Sequence, residues 1–189
     1  MIRSLLIASL LAGGLWQTGQ GGLILAKGLL GQLLLERAFA AADADDPVQS
    51  PWPGAVSHPV ARLHMPERGI RRLVLDGADT PVLAWGPGME IGPNGHRLIA
   101  AHRDTHFRFL EHVEPGERLE LEMIDGSTER WQVASREVVD SRTTAINMAL
   151  EQDQLTLVTC YPFTATTPGG PLRLVLTLTP ENRPLTTDH

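Results

Sequence analysis

Cys160 is the single cysteine of this 189-residue chain, and it closes the run Thr156-Leu157-Val158-Thr159-Cys160. His102 precedes it in Ala101-His102-Arg103-Asp104, and Arg173 follows in Pro171-Leu172-Arg173-Leu174. A thiol is mostly protonated at neutral pH, and the thiolate is the nucleophile. An imidazole that takes or accompanies its proton, with a permanent guanidinium charge, completes the inventory for covalent thiolate catalysis. Arg173 cannot be a base; its chemistry is stabilisation of a thiolate, an oxyanion or a substrate carbonyl. The competing reading of Cys160 is a buried, inert core thiol. The three residues lie far apart in sequence, so only the fold can unite them.

Six other histidines compete with His102. His58 and His189 fall in a linker and a tail, and His96 precedes an apolar strand as an edge residue. His64, His106 and His112 complete the set, but His102 stands where Leu98-Ile99-Ala100-Ala101 ends, at a strand terminus followed by polar residues. His102 and His106 have the four-residue spacing of helical metal ligands. The intervening Arg103-Asp104-Thr105 lacks the glutamate of a zinc-peptidase helix, so neither a metal nor another cofactor is expected.

The elements that must position these residues read as short strands: 61–64, 72–75, 81–85, 97–101, 118–124, 129–139, 155–160 and 172–179. Leu119, Leu121 and Met123 alternate with Arg118, Glu120 and Glu122, the period of a half-buried strand, and Asp125-Gly126 marks a hairpin before Trp131 and Val133. Short helical turns are expected at 105–110 and 145–152. Eight strands without alternating helices point to a closed or nearly closed β-barrel. If the last two strands pair antiparallel about a connection centred between Thr166 and Thr167, Cys160 faces Arg173, Val158 faces Val175 and Leu157 faces Leu176. Leu155, Leu157, Leu174, Leu176 and Leu178 then share a core face, and Cys160 and Arg173 share the other.

The N-terminus predicts a compartment. Arg3 is followed by the apolar stretch 4–16, and a second apolar region, 21–39, spaces Lys27, Gln32 and Glu36 at helical intervals. Read together, residues 5–25 are long enough to span a bilayer as an uncleaved anchor. The alternatives are a cleaved signal, with Ala40-Ala41-Ala42 supplying small residues, and a buried soluble helix. The second region reads as an amphipathic helix on or near the membrane. Both leading alternatives export the domain, and an exported chain with one cysteine forms no internal disulfide. The expected organisation is an anchor or signal segment (1–42), a proline-rich, semi-rigid spacer (43–60), a catalytic domain (61–182) and a tail (183–189). Residues 1–42 carry Arg3, Lys27 and Arg37 against Glu36, a balance of +2, which leaves −8 elsewhere in a chain of net charge −6. With no basic run, a nucleic-acid partner is not expected.

Thr156-Leu157-Val158-Thr159-Cys160 resembles the sortase signature Thr-Leu-any-Thr-Cys. Ala101-His102-Arg103-Asp104 is similar to the family's histidine segment, and Arg173 stands where the family carries its arginine. The 73–75 strand and Trp85-Gly86-Pro87-Gly88 also resemble family features, over residues 61–179. The His102–Phe107 segment and hydrophobic N-terminus look most like the subgroup of Gram-negative bacteria. Ala101 replaces a common glycine, and His96 stands where asparagine often follows glycine.

The resemblance implies an eight-stranded sortase-like barrel and a cysteine transpeptidase in the inner membrane, its catalytic domain facing outward. Its partners would be a substrate protein with a C-terminal Leu-Pro-any-Thr-Gly-like sorting signal and an amine acceptor. It implies Cys160 as nucleophile, His102 as acid and base, and Arg173 as electrostatic partner. Thr159, Tyr161 and Trp85 are candidate substrate contacts, and the connection from Tyr161 to Pro171 reads either as a substrate-facing loop or as an irregular hairpin loop. An exported thiol hydrolase and a non-catalytic, membrane-tethered binding domain with Cys160 buried are the alternative readings.

Overall fold

Alternation along the strands decides which side chains fill the molecule. In β1 (Pro59–Met65), Ala61, Leu63 and Met65 are buried while Val60, Arg62 and His64 stay partly exposed. The same period puts Leu119 and Leu121 of β5 (Arg118–Met123), Trp131 and Val133 of β6 (Thr128–Asp140), and Leu174, Leu176 and Leu178 of β8 (Leu172–Pro180) inside. With β2 (Ile70–Asp76), β3 (Gly88–Ile91), β4 (Arg97–Ala100) and β7 (Leu155–Cys160), these strands form a closed barrel in the order β1-β2-β3-β4-β7-β8-β6-β5. The β1–β5 pairing completes the ring, whose shortest seam is the parallel β2–β3 pairing at Leu75–Gly88 and Asp76–Met89. The computed structural model describes residues 2–42, 49–149, 153–167 and 169–181.

The turns follow from local chemistry. Between β5 and β6, Gly126 takes φ 83°, and Asp125 Oδ1 accepts from the Ser127 backbone N–H (2.9 Å) and hydroxyl (2.6 Å). The strand expected at 81–85 is instead a helical turn, α2 (Thr80–Leu83), with Pro81 in its first turn, where a missing N–H costs nothing. The strand of that region is β3, beyond the Gly86-Pro87 bend. A short apolar run does not carry enough residues to distinguish the two periods. The turn expected at 105–110 forms as a 3-10 helix at Arg108–His112. Residues 145–149 are not helical, and 150–152 lie outside the described residues.

The N-terminal segment is one helix, α1 (Ile2–Ala41). Among the described residues, no helix is long and apolar enough to cross a membrane. The expected span contains Gly13, Gly14, Gln17, Thr18 and the Gly19-Gln20-Gly21-Gly22 run, which dilute its hydropathy. The second region behaves differently from the expected membrane-surface helix. Gly31, Leu35, Ala38 and Phe39 form a buried stripe at helical spacing, and Leu35 and Phe39 pack on Leu73, Leu75 and Val82 of the barrel.

This docking explains why β2 buries Leu73, Val74 and Leu75 consecutively. Val74 belongs to the barrel core, whereas Leu73 and Leu75 face outward beneath α1. Arg62 lies 4.4 Å from the centre of the Phe39 ring and bridges Glu36 and Glu122, each at 2.8 Å. Earlier turns leave Ile7, Leu10, Leu15, Trp16, Ile24 and Leu29 exposed.

Of the expected spacer, residues 43–48 lie outside the described residues, as does the expected tail, 183–189. Beyond them, Trp52 packs against Trp85 with ring centres 4.8 Å apart, and the Ser57 hydroxyl donates to Asp76 O at 2.6 Å. That part of the segment lies against the barrel instead of standing away from it.

Candidate active site

Two strand pairings converge on one end of the barrel. β4 and β7 run parallel with Ala100 beside Val158, so both head for the same end, β4 running on into Ala101-His102 and β7 closing on Thr159-Cys160. β7 and β8 run antiparallel in the register expected from the leucine pattern: Leu157 opposite Leu176, Val158 opposite Val175 and Cys160 opposite Arg173. Leu155, Leu157, Leu174, Leu176 and Leu178 all belong to the core, so the thiol turns away from it. Cys160 is half-buried rather than sealed.

Cys160 and His102 line one cleft of about 170 Å³. Arg103 and Asp104 continue the wall begun by His102, and Tyr161, Pro162, Ala165, Thr167, Gly169 and Gly170 of the loop after β7 supply the facing wall. His102 is exposed. Arg173 stands beside the cleft on β8, half-buried, with Nη1 donating to Gly170 O (2.6 Å) and Leu172 O (2.8 Å). Part of this guanidinium therefore fastens the far end of the loop.

The three candidate substrate contacts separate. Tyr161 lines the cleft, with its ring edge-to-face with Phe163 at 6.3 Å. Thr159 is buried, and its hydroxyl donates to Ala101 O at 2.8 Å. That bond joins the residue before Cys160 to the residue before His102. Trp85 is elsewhere: its ring lies against Gly31 of α1 and Trp52, covered by the helix, because the turn that carries it faces β2 and not the cleft.

Two features were not legible in advance. His96, expected at an edge, is completely buried, with Nδ1 3.2 Å from Asn147 O and Nε2 2.8 Å from the Thr156 hydroxyl, which also accepts from Gln154 Nε2 at 3.2 Å. The first threonine of the Thr-Leu-any-Thr-Cys run is thus spent on a structural histidine. The other is Arg103, a buried guanidinium whose partners include the carbonyls of Pro162 and Ala165. Tandem charges directly after an apolar strand were the available signal; backbone acceptors leave no trace in sequence.

The electrostatics follow from these contacts. Hydrogen bonding to the Arg103 guanidinium holds the Asp104 carboxyl below its usual range. Arg103 is in turn raised, first by Asp104 and to a smaller degree by attraction to Cys160. Burial, then the charges of Arg72 and His102, push His106 down, and His102 is the imidazole that lines the Cys160 cleft.

A family model described as the sortase domain matches residues 63–181. Sortase D of Bacillus subtilis (strain 168) is 30% identical over 107 residues, covering 53% of this chain and 54% of that protein, so the match spans about half the relative's length. Among solved structures, a lid mutant of sortase A from Corynebacterium diphtheriae superposes with a TM-score of 0.57 at 22% identity, covering 71% of this chain and 76% of that one. Sortase C1 of Streptococcus agalactiae gives 0.57 at 20% identity over 84% and 90% of the two chains. At such identities these two structural likenesses speak for the barrel alone.

Proposed function

The chain belongs to the sortase family, and from that premise we propose that it is a cysteine transpeptidase acting on proteins with a C-terminal Leu-Pro-any-Thr-Gly-like signal. The observation that carries this reading is the convergence at one barrel end, where Cys160 lies opposite Arg173 in register and shares its cleft with His102. The Cys160 thiolate would attack the threonine carbonyl of the signal. The C–N bond to the following residue then breaks, His102 donates a proton to the departing amine, and a thioester remains on Cys160. An incoming amine loses its proton to His102, attacks the thioester and releases the thiolate. Arg173 would stabilise the oxyanion formed in each half-reaction.

Mass spectrometry of the protein mixed with a sorting-signal peptide tests this directly. An acyl adduct on Cys160 is expected, and an adduct retained in Cys160→Ala would exclude that residue as the nucleophile. In the same assay, Arg173→Ala should lower single-turnover acylation roughly a hundred- to thousand-fold, the cost of losing an oxyanion donor, with Arg173→Lys recovering part of it. Unchanged acylation in Arg173→Ala would remove Arg173 from the chemistry. An added amine separates transfer from hydrolysis, since only a transpeptidase yields the ligated product.

We further place the enzyme at a membrane with its cleft outside the cytoplasm. The apolar side chains exposed along the first thirty residues of α1 support association with lipid, and Arg3 and Lys27 flank that stretch. The subgroup likeness of His102–Phe107 points to the inner membrane of a Gram-negative cell.

A further inference from the structure

The two walls of the Cys160 cleft come from different parts of the chain: residues after β4 on one side and the loop after β7 on the other. Among the described residues, the side-chain hydrogen bonds between them are made by Arg103. It is 7% exposed, and four of its five N–H donors are used. Nε and Nη2 fork the Asp104 carboxylate at 2.9 and 3.2 Å, Nη1 donates to Pro162 O at 2.6 Å, and Nη2 also reaches Ala165 O at 3.0 Å. A planar guanidinium satisfies these three directions at once; an ammonium does not.

We propose that Arg103 is a positioning residue, whose guanidinium clamps the loop after β7 to the His102 segment, fixes the width of the cleft and stands a permanent positive charge beside Cys160. The inference rests on Cys160 being the nucleophile. The charged and titratable groups around the thiol are His102, Arg103 and Asp104 on one wall, Tyr161 on the other, and Arg173 across β8. Arg173 is not among the residues lining the cleft, and its Nη1 is engaged by Gly170 O and Leu172 O, whereas Arg103 lines the cleft itself. Arg103 and Cys160 line the same cleft, and a permanent cation placed there attracts a negatively charged sulfur. Loss of Arg103 would also leave Asp104 as an uncompensated negative charge near the thiol. Both changes act in the same direction.

The test uses the full chain with three substitutions and three readouts: Cys160 alkylation by iodoacetamide against pH, kcat and KM for acylation by a sorting-signal peptide, and melting temperature. In Arg103→Gln the alkylation midpoint should move to higher pH, slowing alkylation at pH 7 about threefold or more, while KM rises. Arg103→Lys keeps the charge and loses the fork, so the alkylation profile should hold while KM still rises. Asp104→Asn removes a negative charge from the same wall while the Arg103 bonds to Pro162 and Ala165 stay available, so the midpoint should move down. A merely structural arginine lowers the melting temperature without moving the alkylation profile. An unmoved profile and KM in Arg103→Gln overturn the proposal, as does an upward midpoint in Asp104→Asn. If the unsubstituted protein forms no peptide adduct, the sorting-signal reading fails, and the alkylation arm still decides whether Arg103 acts on the thiol.

Discussion

Replacing Thr159 by valine keeps the shape of a side chain that is 2% exposed and deletes one hydroxyl. That hydroxyl donates to Ala101 O at 2.8 Å, and Ala101 is itself only 5% exposed, so water cannot readily substitute for the lost donor. An acceptor stranded this way costs about 1–3 kcal/mol. For a barrel of this size, that corresponds to a fall in melting temperature of roughly 4–10 °C. The functional consequence should exceed the structural one. Ala101 immediately precedes His102, and the hydroxyl ties it to the strand end that carries Cys160. Loosening that tie lets imidazole and thiol drift relative to each other, and misplacement on the order of 1 Å costs up to a hundred-fold in rate. Thermal melting beside single-turnover acylation measures both effects. Thr159→Ser, which restores the hydroxyl and loses only a methyl, should recover most of the rate at a cost of about 1 kcal/mol in stability. A Thr159→Val protein that melts low but acylates normally would refute the positioning argument, and one that melts normally would show that the bond contributes nothing.

Gly31→Leu should detach the end of α1, because any Cβ there collides with the Trp85 ring. The expected readouts are a red-shifted tryptophan emission and faster hydrogen exchange in 31–41, with the acyl adduct on Cys160 still forming; a native spectrum would mean that the ring moves aside freely. Asp140, held by Arg142 and lowered from 3.8 to about 2, contributes stability that is fully present above pH 4 and lost as pH falls towards 2. Asp140→Asn should therefore melt below the unsubstituted protein at pH 6, with the gap closing at pH 2; a gap independent of pH would assign the effect to something other than the carboxylate charge.

The register of the last two strands was readable because the leucines of 155–157 and 174–178 admit only one common face, and a one-residue slip would have turned them all to solvent. With the register came the Cys160–Arg173 pairing. His102 could be nominated at a strand end, but its approach to Cys160 depends on a parallel pairing between strands more than fifty residues apart, which no local pattern specifies. Elsewhere the misses have separate physical origins. Trp85 was misplaced because 81–85 is too short to reveal its period, and because the helix covering it was read as belonging to a membrane. His96 and Arg103 make their decisive bonds to main-chain or hydroxyl oxygens, chosen by tertiary placement and not by residue type.

The docking of α1 alters what sets the reach of the Cys160 cleft. Had the helix ended in a free tether, the proline-rich segment that follows would determine how far and in what direction the cleft could swing. Leu35 and Phe39 seat the helix on β2 before that segment begins, so packing, and not the segment alone, joins helix to barrel. The portion of α1 ahead of Gly31 is then a mast of roughly 40 Å at 1.5 Å per residue. Whatever surface receives the mast, shortening the proline-rich segment should leave the height and heading of the cleft unchanged, whereas removing one helical residue would rotate the barrel by about 100° around the mast.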